Sequence, residues 1–502
     1  MSQLKKGAIL SYGSILLTIM VGLVLTPFMV RTLGDSEFGL YTLIGSIVGY
    51  IGLLDFGLNN TIIRFVARYR AQKDLKGEQN FLATTMLIYC FISVLVVIGG
   101  MFIYYNLADF FDKLTPSQIA KAEVMFLILV FNLAIGLPGN AFAAICSGYE
   151  HFVFPRMLNI VKYIVRSLMI VALLMLGGDA VGMVIVDTAV NIVVILINCY
   201  YVFRKLKVRF RLSAFNPALV KEIFSYSIWI FVFAIFSLLQ WRAGQGILGK
   251  MSGPEAVTIF AIGVLLGSYY GTFSSVISGV FLPRATKMTV LEASADELSD
   301  MMIKIGRFTA VSLMLIFGGF LLFGRQFVDL WMGDSYDEAW LIALIIMISY
   351  TTPLIQSFAN AILEARRMFA FKAMAYIGLV FIGIGVGAYL VRFYGPVGII
   401  IGTSGGWMLG QIIMNFYYYK KLKLQIPRFF LEVFKGLVPT FITVLAIGVA
   451  ITYIPGSGWF NLGLKIALFA GVYILFMFKF GLNQYEIDVF KGTIPFLKKK
   501  NA

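Results

Sequence analysis

A chain of 502 residues that is 60% hydrophobic and 13% charged, with a mean hydropathy of +0.89, lacks the polar surface to dissolve as a globule. Its net charge of +16 would suit nucleic acid if it were gathered on one soluble domain, but the positive side chains fall mainly between long apolar runs, so no nucleic-acid partner is expected. The composition instead describes an all-α polytopic membrane protein.

Apolar runs predict fourteen transmembrane helices, near residues 8–30, 38–63, 81–105, 122–145, 158–176, 180–202, 223–248, 255–282, 307–324, 339–363, 372–391, 396–419, 436–454 and 461–480. The first holds Pro27 just before Arg31, where it either permits a kink or ends the helix. The second carries Asp55, Asn59 and Asn60 inside its run. A carboxylate at that depth is costly unless it faces protein or water. On one continuous helix Asp55 and Asn59 share a face, whereas Asn60 and Arg64 share another, about 180° from Asp55. With Arg64 facing the cleft, Asp55 would face the lobe interior, where Lys162 or Arg166 could neutralise it as a charge pair or an ion-coupling site.

The third and fourth spans are apolar apart from Asn132, Pro138 and Asn140. In the fifth, Asn159, Lys162 and Arg166 recur at three- and four-residue spacing and stack on one face. The sixth answers with Asp187, Asn191 and Asn198. Two successive polar faces either line a wet interior or hydrogen-bond each other. Lys162 can also snorkel to the interface, which is harder for the deeper Arg166.

After a basic linker at 203–222 the pattern restarts. Ile145, Phe152, Phe154, Met157 and Ile160 match Ile362, Phe369, Phe371, Met374 and Ile377 at a constant offset of 217. Six spans per copy make a parallel repeat. The expected organisation is an N-lobe over 1–202, the linker, a pseudo-symmetric C-lobe over 223–419 with a central cleft between the lobes, and accessory helices and tail over 420–502. The seventh span contains Arg242; Arg284 ends the eighth as Arg64 ends the second.

With both termini cytoplasmic, about 31 of the 41 Lys and Arg residues lie in cytoplasmic segments and about 7 in external ones, the positive-inside asymmetry. Lys162, Arg166 and Arg242 remain inside spans. Cys90, Cys146 and Cys199 show no metal or disulfide spacing, His151 is expected to be solvent-exposed in a short loop, and no cofactor, metal centre, P-loop or nucleophile–base pair is expected.

The opening of the chain resembles the bacterial polysaccharide flippases, the Wzx type of the multidrug/oligosaccharidyl-lipid/polysaccharide exporter superfamily. The resemblance rests on the late Pro27, the Arg31–Gly34 turn, the Glu37–Tyr41 helix start, Leu54–Gly57 and Arg64–Tyr69. It implies alternating access driven by an ion gradient, with H+ or Na+ as candidate ion, and a cationic cavity for an undecaprenyl-diphosphate-linked oligosaccharide. Surface polysaccharide such as O-antigen would be the destination, the bacterial cytoplasmic membrane the location, and membrane lipids and the polymerase machinery the neighbours.

A sugar chain and a diphosphate need hydrogen-bond partners and cations in transit, and arginine grips phosphate with two bonds while staying charged. The candidate binding residues are therefore Arg31, Asn60, Arg64, Lys162, Arg166, Arg242 and Arg284, with Asp55 and Asp187 for ion coupling or charge pairing. Arg64 and Arg284 also read as positive-inside anchors. A cation-coupled multidrug exporter of the same superfamily would want acidic and aromatic residues instead. A membrane glycosyltransferase or polymerase would want an acidic pair or a long external loop, and neither pattern is present.

Overall fold

The computed structural model describes residues 3–55, 58–213, 217–290, 293–366 and 368–493, with side chains throughout except at 3–9, 11–12, 53–54, 225–230, 233–234, 237, 273–287, 289–290, 364–365, 369–370 and 489–493. Among the described residues every regular element is helical. This follows from the apolar runs, because in hydrocarbon each backbone N–H and C=O must find its partner within the chain.

The chain packs as two compact units, Met1–Ala261 with Val391–Pro396, and Ile262–Leu390 with Val397–Ala502. The first unit holds α1 (Gln3–Leu33), α2 (Asp35–Ile51), α3 (Leu58–Ala71), α4 (Leu75–Tyr105), α5 (Leu107–Phe110), α6 (Pro116–Gly148), α7 (Val153–Met175), α8 (Ala180–Tyr200) and α9 (Pro217–Met251). The division falls inside α10 (Pro254–Val290). The second unit continues with α11 (Ala295–Trp331), α12 (Asp337–Ile355), α13 (Ser357–Ala365), α14 (Phe369–Lys421), α15 (Ile426–Phe434), α16 (Leu437–Thr452), α17 (Gly458–Phe476) and α18 (Gln484–Thr493). The basic linker at 203–222 is thus not the boundary, because α9 packs against α2 and α3. Of the last helices, α16 and α17 pack on α11.

Eleven helices among the described residues are long and apolar enough to cross a membrane, against the fourteen expected. One of the three missing is the seventh expected span, in α9, part of which lies outside the described residues, and two further causes are visible. The second span is broken into α2 and α3, joined through a 3₁₀ turn at Gly52–Asp55, and neither piece is long enough alone. Conversely α14 runs through two expected spans, although Gly395, at φ 54° and followed by Pro396, leaves helical geometry between them. Pro27 does not end its helix, since α1 continues to Leu33.

Helix ends are set by ordinary capping. Thr115 and Gln118 form a capping box at α6, Ser294 and Glu297 another at α11, and Asp179 accepts from the Gly182 amide at α8. At that end of the first unit, Lys121 pairs with both Glu37 and Asp179. Burial pushes the Asp179 carboxyl up, but the Gly182 amide and the Lys121 ammonium outweigh it and hold it below the usual carboxylate range.

Candidate functional site

The polar stripes on α7 and α8 meet inside the first unit. Arg166 donates from Nε to Asp187 Oδ1 at 2.5 Å and from Nη2 to Oδ2 at 2.9 Å, a two-bond grip. Tyr41 of α2 closes the cluster: its hydroxyl donates to Asp187 Oδ2 at 3.0 Å and accepts from Arg166 Nη2 at 3.2 Å. One turn along, Lys162 Nζ donates to Asn191 Oδ1 at 2.8 Å, and Asn191 Nδ2 donates to Asn132 Oδ1 of α6 at 2.7 Å.

Charge is not balanced here. Asp187 answers Arg166, whereas Lys162 makes no ion pair among the described residues and is only half-buried. Arg166 also keeps Nη1 without a described partner. A cluster with one surplus positive charge and spare N–H donors can accept an anion without first being taken apart.

Arg242 lies on α9, against α2. Its Nη1 donates to the Gly45 carbonyl at 3.2 Å, and a Cβ at Gly49 would come within 3.3 Å of its Cδ, so the side chain lies along a glycine-lined strip of α2. Arg242 is exposed and has no ion pair among the described residues. Nearby the helices touch almost backbone to backbone. A Cβ at Gly39 would sit 1.9 Å from the Pro254 carbonyl oxygen, and Thr258 donates to the Asp35 carbonyl at 2.6 Å.

Arg31 is exposed near the end of α1, and Asn60 and Arg64 are exposed one turn apart on α3. Asp55 sits in the 3₁₀ turn and accepts from Tyr89 of α4 at 3.1 Å. Because Gly52–Asp55 is a 3₁₀ turn and Asn60 lies on α3, the 180° relation expected on one α-helix no longer governs them. Arg166 and Lys162 are engaged with Asp187 and Asn191, so the expected neutralisation of Asp55 by either gives way to this arrangement. The Arg284 side chain lies outside the described residues. His151, expected in solvent, is half-buried, with Nδ1 2.8 Å from the Tyr201 hydroxyl.

The second unit holds polar layers that inspection of charges misses. Tyr376 donates to Gln411 Oε1 at 2.5 Å, and Gln411 donates in turn to Gln356. One turn away Lys372 donates to Asn360 Oδ1 at 2.6 Å, and Tyr418 donates to the same oxygen at 3.1 Å. The signal was available as polar pairs four residues apart, Gln356 with Asn360 and Lys372 with Tyr376, on successive spans.

Residues 4–289, more than half of the chain, match the family described as Polysaccharide biosynthesis protein. The chain belongs to that family. The chain is 20% identical over 404 residues to the "Putative O-antigen transporter" of Shigella flexneri, covering 78% of this chain and 92% of the relative. It is 23% identical over 340 residues to the "Uncharacterized membrane protein EpsK" of Bacillus subtilis (strain 168), covering 64% of each. Its fold is that of "Lipid II flippase MurJ, inward closed conformation", with a TM-score of 0.73 at 15% identity over 96% of this chain and 99% of that one. An inward-facing multidrug resistance MATE family transporter of the MOP superfamily gives a TM-score of 0.62 at 15% identity over 84% of this chain and 98% of that one.

Proposed function

We propose that this polysaccharide biosynthesis protein is a flippase, carrying an undecaprenyl-diphosphate-linked oligosaccharide repeat unit from the cytoplasmic to the outer leaflet of the bacterial cytoplasmic membrane by alternating access. The observation that carries the reading is Arg242, an exposed guanidinium in an expected span with no ion pair among the described residues. A phosphate offers such a group the two-bond partner it lacks. The surplus charge at Lys162 and the open Nη1 of Arg166 extend the same chemistry inward, and Arg31, Asn60, Arg64 and Arg284 are the further candidates. The names of the Shigella relative and of the flippase that shares the fold support this substrate class.

In the proposed architecture fourteen helices form two parallel six-helix copies and a final pair, with both termini cytoplasmic. The chain needs no chemistry of its own, only binding and movement. Asp187, which holds Arg166, and Asp55, in the 3₁₀ turn of the second span, are the coupling or charge-pairing candidates. Coupling to H+ or Na+ is not compulsory, because the membrane potential favours outward movement of an anion by about 2.3 kcal/mol per charge per 100 mV. Polymerase machinery would receive the product.

The second reading, a cation-coupled drug exporter, is favoured by the fold shared with MATE transporters; cations in the candidate site disfavour it. Reconstituted protein separates the two. Transfer of labelled lipid-linked oligosaccharide between leaflets, without efflux of a cationic dye, is expected; dye efflux without glycan transfer would overturn the proposal.

A further inference from the structure

Beyond the transport site, the segment that follows α8 is built as a surface. From Tyr201 the helix widens into a short π-helical turn ending at Lys205, and Lys207, at φ 53°, turns the chain back. The returning strap is pinned to the first unit. Val208 donates to the Val202 carbonyl at 3.3 Å, Arg211 to the Gln79 carbonyl at 3.4 Å, and the Ser213 amide to Asn80 Oδ1 at 2.9 Å. Val202 and Val208 are buried, and the rings of Phe203 and Phe210 lie 5.8 and 6.3 Å from that of Phe142 on α6.

Burial alternates along the strap. Val208 and Phe210 turn to the protein, while Lys207, Arg209 and Arg211 are exposed, as are Arg204 and Lys205 just before them. None of these five cations has an ion pair among the described residues, and no acidic residue occurs between 201 and 221. Phe203 and Leu212, at the two ends, are nearly half exposed.

We infer that this strap is a docking surface for anionic phospholipid headgroups of the cytoplasmic leaflet. Three features point to lipid. The strap begins where an apolar span ends, so it lies at headgroup depth. Its cations are unbalanced on an ordered backbone, so little freedom is lost when they meet phosphate. Its terminal Phe203 and Leu212 side chains suit the acyl boundary beneath the headgroups better than water. The inference rests on the chain's location in a membrane and not on which substrate it moves.

The test uses the full-length protein in neutral detergent, with phosphatidylglycerol and phosphatidylcholine as probes and retained lipid counted by native mass spectrometry. The variant is Lys207→Gln/Arg209→Gln/Arg211→Gln, which changes only exposed side chains, with its melting temperature measured alongside. A charge-matched control, Lys113→Gln/Lys250→Gln/Arg392→Gln, removes three exposed cations at the opposite ends of the expected spans. Wild type is expected to hold phosphatidylglycerol in preference to phosphatidylcholine. The strap variant should bind phosphatidylglycerol roughly a hundredfold more weakly at unchanged melting temperature, and the control should lose much less. Equal binding of both lipids by wild type, equal loss in strap and control variants, or a strap variant that keeps phosphatidylglycerol would each overturn the inference.

Discussion

Each unit contains an arginine–carboxylate pair on its helices, and the two are built for different ends. Arg307 on α11 and Glu486 on α18 are 8% and 2% exposed, and every guanidinium N–H is used. Nε and Nη2 donate to the carboxylate, Nη1 to the Glu432 and Lys435 carbonyls, and Nη2 also to Gly481. Arg166 and Asp187 are 22% and 19% exposed, and Nη1 is left over. The first pair is a saturated clasp that ties the end of α15 and the start of α18 to α11. The second can exchange partners without stranding a charge in a dry interior, as the proposed transport role requires.

Breaking the clasp should have the largest effect. Arg307→Met leaves Glu486 buried with its charge unanswered, and a loss of about 3–5 kcal/mol is expected in denaturant or thermal unfolding. Arg307→Met combined with Glu486→Leu should recover most of it. A single variant as stable as wild type would erase the distinction between the pairs. Next comes Gly39→Val. The added carbons meet the Pro254 carbonyl, so α2 must move, at a cost of about 1–3 kcal/mol in the same assay.

Arg166→Ala sharpens the contrast from the other side. Water can reach Asp187, so the stability cost should stay below that of Arg307→Met, while glycan transfer falls by about tenfold or more. The smallest effect concerns pH. The Asp179 carboxyl is held below its unfolded value near 3.9, so its contribution is fully present above that value and is lost as pH falls through the lower folded-state value. Because Lys121 and Asp179 are both well exposed, at most about 1 kcal/mol is at stake. Asp179→Asn should flatten the acid limb of the melting profile below about pH 4 and leave neutral pH almost unchanged.

Hydropathy and helical spacing made much of this legible. Lys162 and Arg166 facing Asn191 and Asp187 follow from three- and four-residue steps, and the pairing in space keeps that order. The break at Gly52–Asp55 was hidden because hydropathy measures transfer into hydrocarbon and not backbone angle, and the run stays apolar across it. Arg307 stood at the edge of an expected span, where a cation reads as an interfacial anchor; its partner Glu486 is 179 residues away, beyond any local pattern. Lys372 was passed over for a similar reason, since Asn360 and Tyr418 become its neighbours only when α13 and the two arms of α14 close together.

The measurement closest to the central claim is leaflet-to-leaflet transfer of a labelled lipid-linked oligosaccharide by Arg242 variants in proteoliposomes. The account predicts a fall of roughly tenfold to a hundredfold for Arg242→Ala at unchanged melting temperature, with partial recovery in Arg242→Lys, because charge returns without the two-bond grip. Transfer by Arg242→Ala equal to wild type would contradict it.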